Sequence, residues 1–231
     1  MLCNVKCTAC KIWTAFCGGI LCKSVKLTEP PDAEPHVRWC ERSAAKAASY
    51  SIKEDLCLVA VPSYGGRIPS VVTDMFRNVK ADGTKAILAA VFGNRAIDDT
   101  LLELQDVLEA SGFVCIAGME AVAEHSLMHQ FGTGRPDQQD EKELLEFAAK
   151  ILQNSETQRT PAFPGNRPYR EYNGVPLKPV ANGKCTSCGL CAKECPAGAI
   201  PLTNPKMTDK DKCISCMHCV AVCPKKARNY S

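Results

Sequence analysis

Apolar residues in the middle of the chain form short continuous runs that alternate with helix-like stripes. The runs cover 56–61, 86–92 and 113–117, and uninterrupted runs of this kind are typical of strands buried on both faces of a parallel sheet. Between the first two runs the apolar positions follow a helical spacing, at Ile68, Val71, Val72, Met75, Phe76 and Val79. The pattern therefore predicts a strand, a helix and a second strand, in this order.

Two further helices are predicted after the second and third runs. Residues 98–100, with the sequence Asp-Asp-Thr, offer N-capping side chains ahead of the apolar set Leu101, Leu104 and Leu108. A last helix is indicated by Leu144, Ala148, Ile151 and Leu152. Strands that alternate with helices over short connections predict right-handed βαβ units. The expected fold class is therefore α/β, a doubly wound parallel sheet with helices on both faces.

The segments that flank this region differ from it in composition. The uncharged apolar stretch 12–22 is far shorter than the roughly 20 residues that cross a bilayer, so no membrane span is expected there. Its spacing favours an amphipathic helix, and a signal-peptide core is the alternative. Residues 154–180 are rich in Pro and Gly, which disfavour regular elements and predict a linker. The expected domains are 1–153 and 181–231.

Charge and composition add one anomaly to this picture. The formal net charge of the 231 residues is +3, and no aromatic stacking platform interleaves with the lysines, so nucleic acid is not an expected partner. Apolar residues at 45% and charged residues at 23% are ordinary for a globular protein. The anomaly is the number of cysteines, which is 16. Half of them fall near the C-terminus at fixed spacings.

The C-terminal cysteines form two runs of the type CxxCxxCxxxCP. The first run is Cys185, Cys188, Cys191 and Cys195, and the second is Cys213, Cys216, Cys219 and Cys223. Each cysteine of the second run lies 28 residues after its counterpart, which indicates an internal duplication. Steps of three residues let successive sulfurs of one loop point into a common pocket. Three thiolates that converge in this way suit a cubane iron–sulfur cluster.

The fourth cysteine of each run is followed by a proline, and it is expected to point out of its own loop and to ligate the other cluster. The predicted ligands of one [4Fe-4S] cluster are Cys185, Cys188, Cys191 and Cys223, and those of the other are Cys213, Cys216, Cys219 and Cys195. A disulfide framework and a zinc site are the alternatives, and the duplicated third cysteine and the CP step disfavour both. His218 is predicted to be a loop residue and not a ligand. With this pattern, residues 181–231 resemble the bacterial two-cluster ferredoxins, and the resemblance implies a small α+β domain with two [4Fe-4S] clusters.

Two loops that follow the first two predicted strands carry a second resemblance. The first loop contains Pro62, Ser63, Tyr64, Gly65 and Gly66, and the second contains Gly93, Asn94 and Arg95. Together with the strings 124–126 (EHS) and 134–137 (GRPD), they resemble flavodoxin domains fused to a C-terminal two-cluster ferredoxin. The resemblance implies that these loops bind FMN, with the tyrosine stacked on the flavin ring and backbone amides at 93–95 bonded to its pyrimidine oxygens. The residues alone also fit glycines that only turn the chain, and a His125 that is simply hydrogen-bonded near the sheet edge.

The N-terminal segment departs from the flavodoxin pattern. Residues 7–11 (CTACK) contain one hydroxyl and no glycine, where flavodoxins cradle the FMN phosphate, so we expect a truncated or degenerate phosphate loop. Cys3, Cys7 and Cys10 have the CxxxCxxC spacing by which radical-SAM enzymes hold a cluster, which is a further alternative. Cys57 and Cys115 lie inside apolar runs and are expected to pack in the core.

The expected function is electron transfer. Single electrons would pass through two [4Fe-4S] clusters, to or from an FMN in the sheet domain, with redox proteins as partners. Such a carrier needs no catalytic residue of its own. The alternative is a ferredoxin module on a flavodoxin-like domain that has lost FMN and only docks a redox partner. Many thiols and oxygen-sensitive clusters favour a reducing cytoplasm, as in an anaerobe.

Overall fold

The computed structural model describes residues 56–153 and 160–230. These residues separate into two compact units with a boundary between Tyr172 and Asn173, and we call them the sheet unit and the cysteine-rich unit. The predictions for the helix at 12–22, the phosphate loop at 7–11 and the Cys3–Cys10 spacing lie outside the described residues. Within the described residues, no helix has the length and apolar character needed to cross a membrane.

The sheet unit contains a parallel three-stranded sheet. Its strands are β1 (Leu56–Pro62), β2 (Lys85–Phe92) and β3 (Val114–Val122), in the spatial order β1-β2-β3. β3 extends beyond the predicted run at 113–117, because backbone pairing with β2 continues as far as the Phe92–Val122 pair. The exposed Glu120 lies inside this extension, so an interruption of the apolar run did not end the strand.

Three helices follow the strands. They are α1 (Ser70–Phe76), α2 (Thr100–Ala110) and α3 (Gln138–Gln153). α1 begins after the start of the apolar stripe from Ile68 to Val79, because Pro69 occupies the N-cap position, and it ends at Phe76, before the end of the stripe.

The helices cover both faces of the sheet. Successive residues of a strand point to opposite faces, and in β2 the residues Ala86, Leu88 and Ala90 join one apolar core, while Ile87, Ala89 and Val91 join another. The first core includes residues of α1 and α2, and the second includes residues of α3. Cys115 is fully buried in the first core and Cys57 packs against it, as predicted. This architecture is compatible with a flavodoxin-like fold.

The carboxylate of Asp99 does not cap α2 as predicted. Asp99 occupies the N-cap position of the helix but makes no side-chain capping hydrogen bond. Its two carboxylate oxygens instead accept hydrogen bonds from the backbone amides of Asn166 and Arg170, both at 2.7 Å. These two amides belong to a segment without regular structure. Both hydrogen bonds are charge-assisted, and the carboxylate makes them instead of a hydrogen bond to the first amides of the helix.

The segment 160–172 lies inside the predicted linker but packs on the sheet unit. Phe163 packs against the first core, where its ring lies over Gly118. The guanidinium of Arg167 donates to the Asp106 carboxylate, with Nε 3.0 Å from Oδ2. The Tyr169 ring lies 4.8 Å from the Arg67 guanidinium carbon, which is cation–π geometry. We call this segment the strap.

The cysteine-rich unit has little regular structure. It contains the antiparallel pair β4 (Val180–Ala181) and β5 (Arg228–Asn229) and two one-turn helices, α4 (Leu190–Lys193) and α5 (His218–Ala221). α5 begins and ends 28 residues after α4, and each helix is preceded by a residue with left-handed backbone. The duplication of the sequence is therefore also a duplication of the backbone. His218 begins α5, whereas the sequence predicted a loop.

Candidate metal centre

Two cavities lie in the cysteine-rich unit, and each is lined by four cysteines. The first cavity is lined by Cys185, Cys188, Cys191 and Cys223. The second cavity is lined by Cys195, Cys213, Cys216 and Cys219. Each set combines three cysteines of one run with the last cysteine of the other run.

Left-handed backbone turns bring the first three thiols of each run together. In the first run Ser187 and Gly189 have φ values of 57° and 78°, and in the second Ser215 and Met217 have 55° and 58°. These residues lie between the cysteines, at the same offsets in both runs. Alternation of left-handed with ordinary backbone turns successive amides toward one point, a concavity that suits anionic groups.

The last cysteine of each run is held by a backbone amide four residues later. The amide of Ala199 donates to Sγ of Cys195 over 3.3 Å, and the amide of Ala227 donates to Sγ of Cys223 over 3.2 Å. Amide donors of this kind stabilise a thiolate and, in an iron–sulfur site, help to set the reduction potential.

Burial affects the thiols of the two cavities differently. In the second cavity, desolvation raises the pKa of Cys216 and of Cys219 to about 11. In the first cavity, desolvation also opposes ionisation of Cys223, but amide hydrogen bonds from Ala227, Lys225 and Arg228 outweigh it and lower the pKa of this thiol. Buried thiols ionise when a metal ion takes the place of the proton, so the second set in particular needs a bound cation to become thiolates.

The candidate ligands that line the two cavities are all cysteine thiols. Iron–sulfur cubes are bound by four cysteine thiolates, and each cavity is lined by four cysteines. Across residues 56–153 and 160–230, no three His, Cys, Asp or Glu side chains are arranged to hold one metal ion. His218 lines neither cavity, and its Nε2 lies 3.9 Å from the Glu194 carboxylate.

Two basic side chains of this unit were not singled out from the sequence. Lys178 donates from Nζ to the carbonyl of Cys213 at 2.7 Å and to the Ser215 hydroxyl at 3.0 Å, which fixes the loop of the second run. Arg228 is only 2% exposed and lines the first cavity. Comparison of the two runs could have pointed to Arg228, because the equivalent residue 28 positions earlier is the apolar Ile200.

The residues proposed from the flavodoxin resemblance meet at one edge of the sheet. β1 ends at Pro62, and the amide of Ser63 donates to the carbonyl of Val91 in β2 at 2.7 Å. The loop that contains Gly93, Asn94 and Arg95 follows directly after β2. Because the strands are parallel, the loops at their carboxyl ends are neighbours.

The loop after β1 closes in a tight turn. Tyr64 and Arg67 exchange backbone hydrogen bonds of 2.9 and 3.2 Å across Gly65 and Gly66, whose φ values are 61° and 83°. Two successive positive φ angles are the signature of a type I′ turn, which glycine adopts without strain. Arg67 then anchors the loop to α2, since its guanidinium donates to both oxygens of the Glu103 carboxylate at 2.6 and 2.7 Å.

Protein side chains occupy the space beside the three glycines of these loops. A Cβ placed on Gly65 would lie 2.2 Å from the Tyr172 ring, and one on Gly66 would lie 2.2 Å from the Asp98 carboxylate. A Cβ placed on Gly93 would lie 2.6 Å from the His125 ring. The glycines therefore make room for the strap and for neighbouring side chains of the sheet unit.

His125 is hydrogen-bonded near the sheet edge, as one of its two interpretations predicted. Its Nδ1 accepts hydrogen bonds from the amides of Leu127 and Met128, each at 3.1 Å. Burial, and then the nearby His129, lower the pKa of the imidazole, so the ring is neutral at pH 7. In the neighbouring string, Arg135 forms an ion pair with Asp140 at the start of α3.

Comparison with known families agrees with the geometry of the cysteine-rich unit. Residues 184–228 match the model of the 4Fe-4S dicluster domain. No curated protein matches the chain. The matched residues include all eight cysteines that line the two cavities. Residues 184–228 are therefore a ferredoxin-type 4Fe-4S dicluster domain. This supports iron–sulfur cluster binding and an electron-transfer role.

Proposed function

We propose that the chain passes single electrons through two [4Fe-4S] clusters, one in each cavity. The observation that carries this proposal is the pair of cavities, each lined by four cysteines and related by the 28-residue duplication. A bound [4Fe-4S] cluster supplies reversible one-electron chemistry at low potential. The protein has to ligate, orient and partly shield the iron, and no acid, base or nucleophile is required of it.

The cavity linings support cross-ligation between the two runs. Cys223 would complete the set of Cys185, Cys188 and Cys191, and Cys195 would complete the set of Cys213, Cys216 and Cys219. The amides of Ala227 and Ala199 hold the two exchanged thiols in equivalent positions. Each cluster then ties the two runs to each other, so ligation also closes the tertiary structure of the unit.

A matched pair of variants tests the cross-ligation. Anaerobically purified Cys195→Ser should expose Cys213, Cys216 and Cys219 to alkylation and leave the other set protected. Cys223→Ser should expose Cys185, Cys188 and Cys191 instead. Peptide mapping by mass spectrometry measures both outcomes. Alkylation of the cysteines of the variant's own run would show that each run holds its cluster alone, and would refute the exchange.

We also propose that the sheet unit binds the ring of an FMN at the edge formed by the loops after β1 and β2. Tyr64 is half-buried beside the turn, and the backbone amides of residues 93–95 lie in the neighbouring loop. Bound FMN would convert between one-electron and two-electron transfer. The supporting observation is that both loops meet at the carboxyl edge of a parallel sheet, where such folds bind ligands.

The second candidate is a sheet unit that holds no flavin and only docks a redox partner. The observation that favours it is the occupation of the space beside Gly65 by the Tyr172 ring and beside Gly93 by the His125 ring. Under this hypothesis, the strap has taken the place where a flat ring would contact the glycines.

Flavin binding to the anaerobically purified full chain separates the two candidates. The first predicts about one FMN per chain, released by acid and measured by fluorescence, and about two- to tenfold weaker rebinding in Tyr64→Leu, since aromatic stacking contributes about 0.5–1.5 kcal/mol. Phe147→Leu, at an exposed aromatic residue of α3 outside the two loops, is the control and should bind FMN normally. A chain that carries full iron but neither contains nor rebinds FMN would overturn the first candidate in favour of the second.

A further inference from the structure

The two cavities are lined by equivalent positions that carry different side chains. Four pairs of lining residues, each 28 positions apart, differ in chemistry. In the first cavity they are Thr186, Gly189, Lys225 and Arg228, and in the second they are Ile214, Met217, Ala197 and Ile200. The first cavity therefore has two cationic residues at positions where the second has apolar ones.

Arg228 is a buried cation whose hydrogen-bond acceptors are all neutral. It is 2% exposed. Nη1 donates to the carbonyl of Pro179 at 3.2 Å and to the hydroxyl of Thr208 at 2.7 Å, and Nη2 donates to the carbonyls of Pro205 at 2.6 Å and Met207 at 3.0 Å. Nε is buried and has no hydrogen-bond partner among the described residues. One donor of the guanidinium is thus still available.

A buried charge without a counter-ion is costly, because the guanidinium loses water and cannot deprotonate. A group of opposite charge in the cavity that Arg228 lines would offset this cost. A [4Fe-4S] cluster with four thiolates carries roughly two negative charges when oxidised and one more when reduced. Reduction therefore strengthens the attraction to the cation, and a nearby cation raises the reduction potential.

The field of Arg228 is unequal in the two cavities. Arg228 itself lines the first cavity, whereas only two of its acceptors, Pro179 and Thr208, line the second. Its charge also acts on Cys219 of the second set and on Cys223 of the first, so both clusters are affected. Exposure adds to the difference, because Cys188 is exposed while its counterpart Cys216 is partly buried, and solvent also stabilises the added charge.

We propose that the chain directs the first electron to the cluster of the first cavity, and that Arg228 is the main tuning residue, with a smaller contribution from the exposed Lys225. The inference rests on the proposed occupancy of both cavities. In this step one electron enters from an external low-potential one-electron donor, which is oxidised, and no bond is made or broken. Because the cluster of the first cavity is reduced before the other, electrons should enter or leave the unit beside the first cavity.

The test uses the full chain with both clusters, reduced anaerobically to one electron per chain. Cysteine β-proton NMR signals, shifted by the paramagnetic clusters, report how the electron is shared, and Cys188→Ser and Cys216→Ser assign the signals to the two sets. We expect the larger share on the first set. Arg228→Ile, which copies Ile200, should move the share toward the second set, and Lys225→Ala, which copies Ala197, should move it less. Lys210→Ala removes an exposed lysine that lines neither cavity and should leave the share unchanged.

An equal share in the wild-type chain, or a larger share on the second set, would overturn the inference. So would an Arg228→Ile chain with the wild-type distribution. If that variant does not fold, the wild-type distribution and Lys225→Ala still decide. Failure of the proposed function is recognised separately, because a chain without two sets of shifted cysteine signals does not hold two clusters.

Discussion

The two units of this chain reach a folded state by different routes. The sheet unit buries two apolar cores, one on each face of a parallel sheet, with residues such as Leu88, Leu104 and Leu108 completely buried. Among the described residues, the buried apolar cluster of the cysteine-rich unit consists of Cys191, Ala192, Ile200 and Cys219, and its strands there have two residues each. Apolar burial stabilises the first unit, whereas the second depends on the group that its cysteines bind.

Removal of iron should separate the two units most strongly, because it should unfold one of them and leave the other folded. An anaerobic chelator with mild acid should unfold the cysteine-rich unit and leave the sheet unit folded, because only the former lacks a sufficient apolar core. Two-dimensional amide NMR of the full chain should then show dispersed signals for residues 56–153 and collapsed signals for residues 184–228. Dispersed signals for both regions after complete iron loss would show that the small unit is stable without its clusters.

Truncation of a core residue should destabilise the sheet unit alone. Leu104→Ala removes a side chain of α2 that has no exposed surface, and should lower the free energy of unfolding by about 2–5 kcal/mol. Urea unfolding under anaerobic conditions measures it, with circular dichroism for the sheet unit and visible absorbance for the clusters. Leu202→Ala, at a leucine of the cysteine-rich unit that is 55% exposed, is the matched control and should change stability by less than about 0.5 kcal/mol. Equal losses in the two variants would contradict the comparison.

A side chain at Gly65, in the turn that contacts the strap, should lower the stability of the sheet unit. Gly65→Ala combines a positive φ with a Cβ 2.2 Å from the Tyr172 ring, and should cost about 1–3 kcal/mol of stability. Gly134→Ala has a similar φ of 75° but no atom within 4 Å of the added Cβ, so it measures backbone strain alone. Thermal unfolding of both variants should show a larger loss at Gly65. A matching loss at Gly134 would mean that the Tyr172 contact does not constrain the turn.

The strap should loosen in acid. The backbone amide of Arg170, against opposing desolvation and with help from the Asn166 amide, lowers the pKa of Asp99 below its ordinary value. A lowered folded-state pKa stabilises the fold above the unfolded-state value of about 3.9, and this stabilisation is lost as the pH falls through the folded-state value. Wild-type protein should therefore lose about 1 kcal/mol more than Asp99→Asn between pH 6 and that acid range, by urea unfolding of the sheet unit. Parallel pH profiles would show that the Asp99 carboxylate does not hold the strap.

The sequence predicted those features that depend on local pattern. Buried parallel strands read as continuous apolar runs, and the steps of three between Cys185, Cys188 and Cys191 follow from the ligand geometry of a cluster. The two-faced core follows from the same runs, whereas the strand order was not predicted.

The features that sequence reasoning missed depend on contacts between residues far apart in the chain. Asp99 has the local signature of a helix cap, but the amides of Asn166 and Arg170 bind its carboxylate instead. The strap has no periodicity, but its aromatic residues Phe163, Tyr169 and Tyr172 predict that it lies along a domain surface. The position of Phe163 on Gly118 could not be predicted. Arg228 could have been noticed by alignment of the two runs, but its burial depends on carbonyls contributed by Pro179 and Pro205.

The central claim is that each cavity of the cysteine-rich unit holds a four-iron cluster. Chemical determination of iron and acid-labile sulfide on an anaerobically purified full chain tests it most directly. The account predicts about eight irons and eight sulfides per chain, with the eight cysteines of residues 184–228 protected from alkylation. About four irons with half of these thiols reactive, or zinc in place of iron and sulfide, would contradict it.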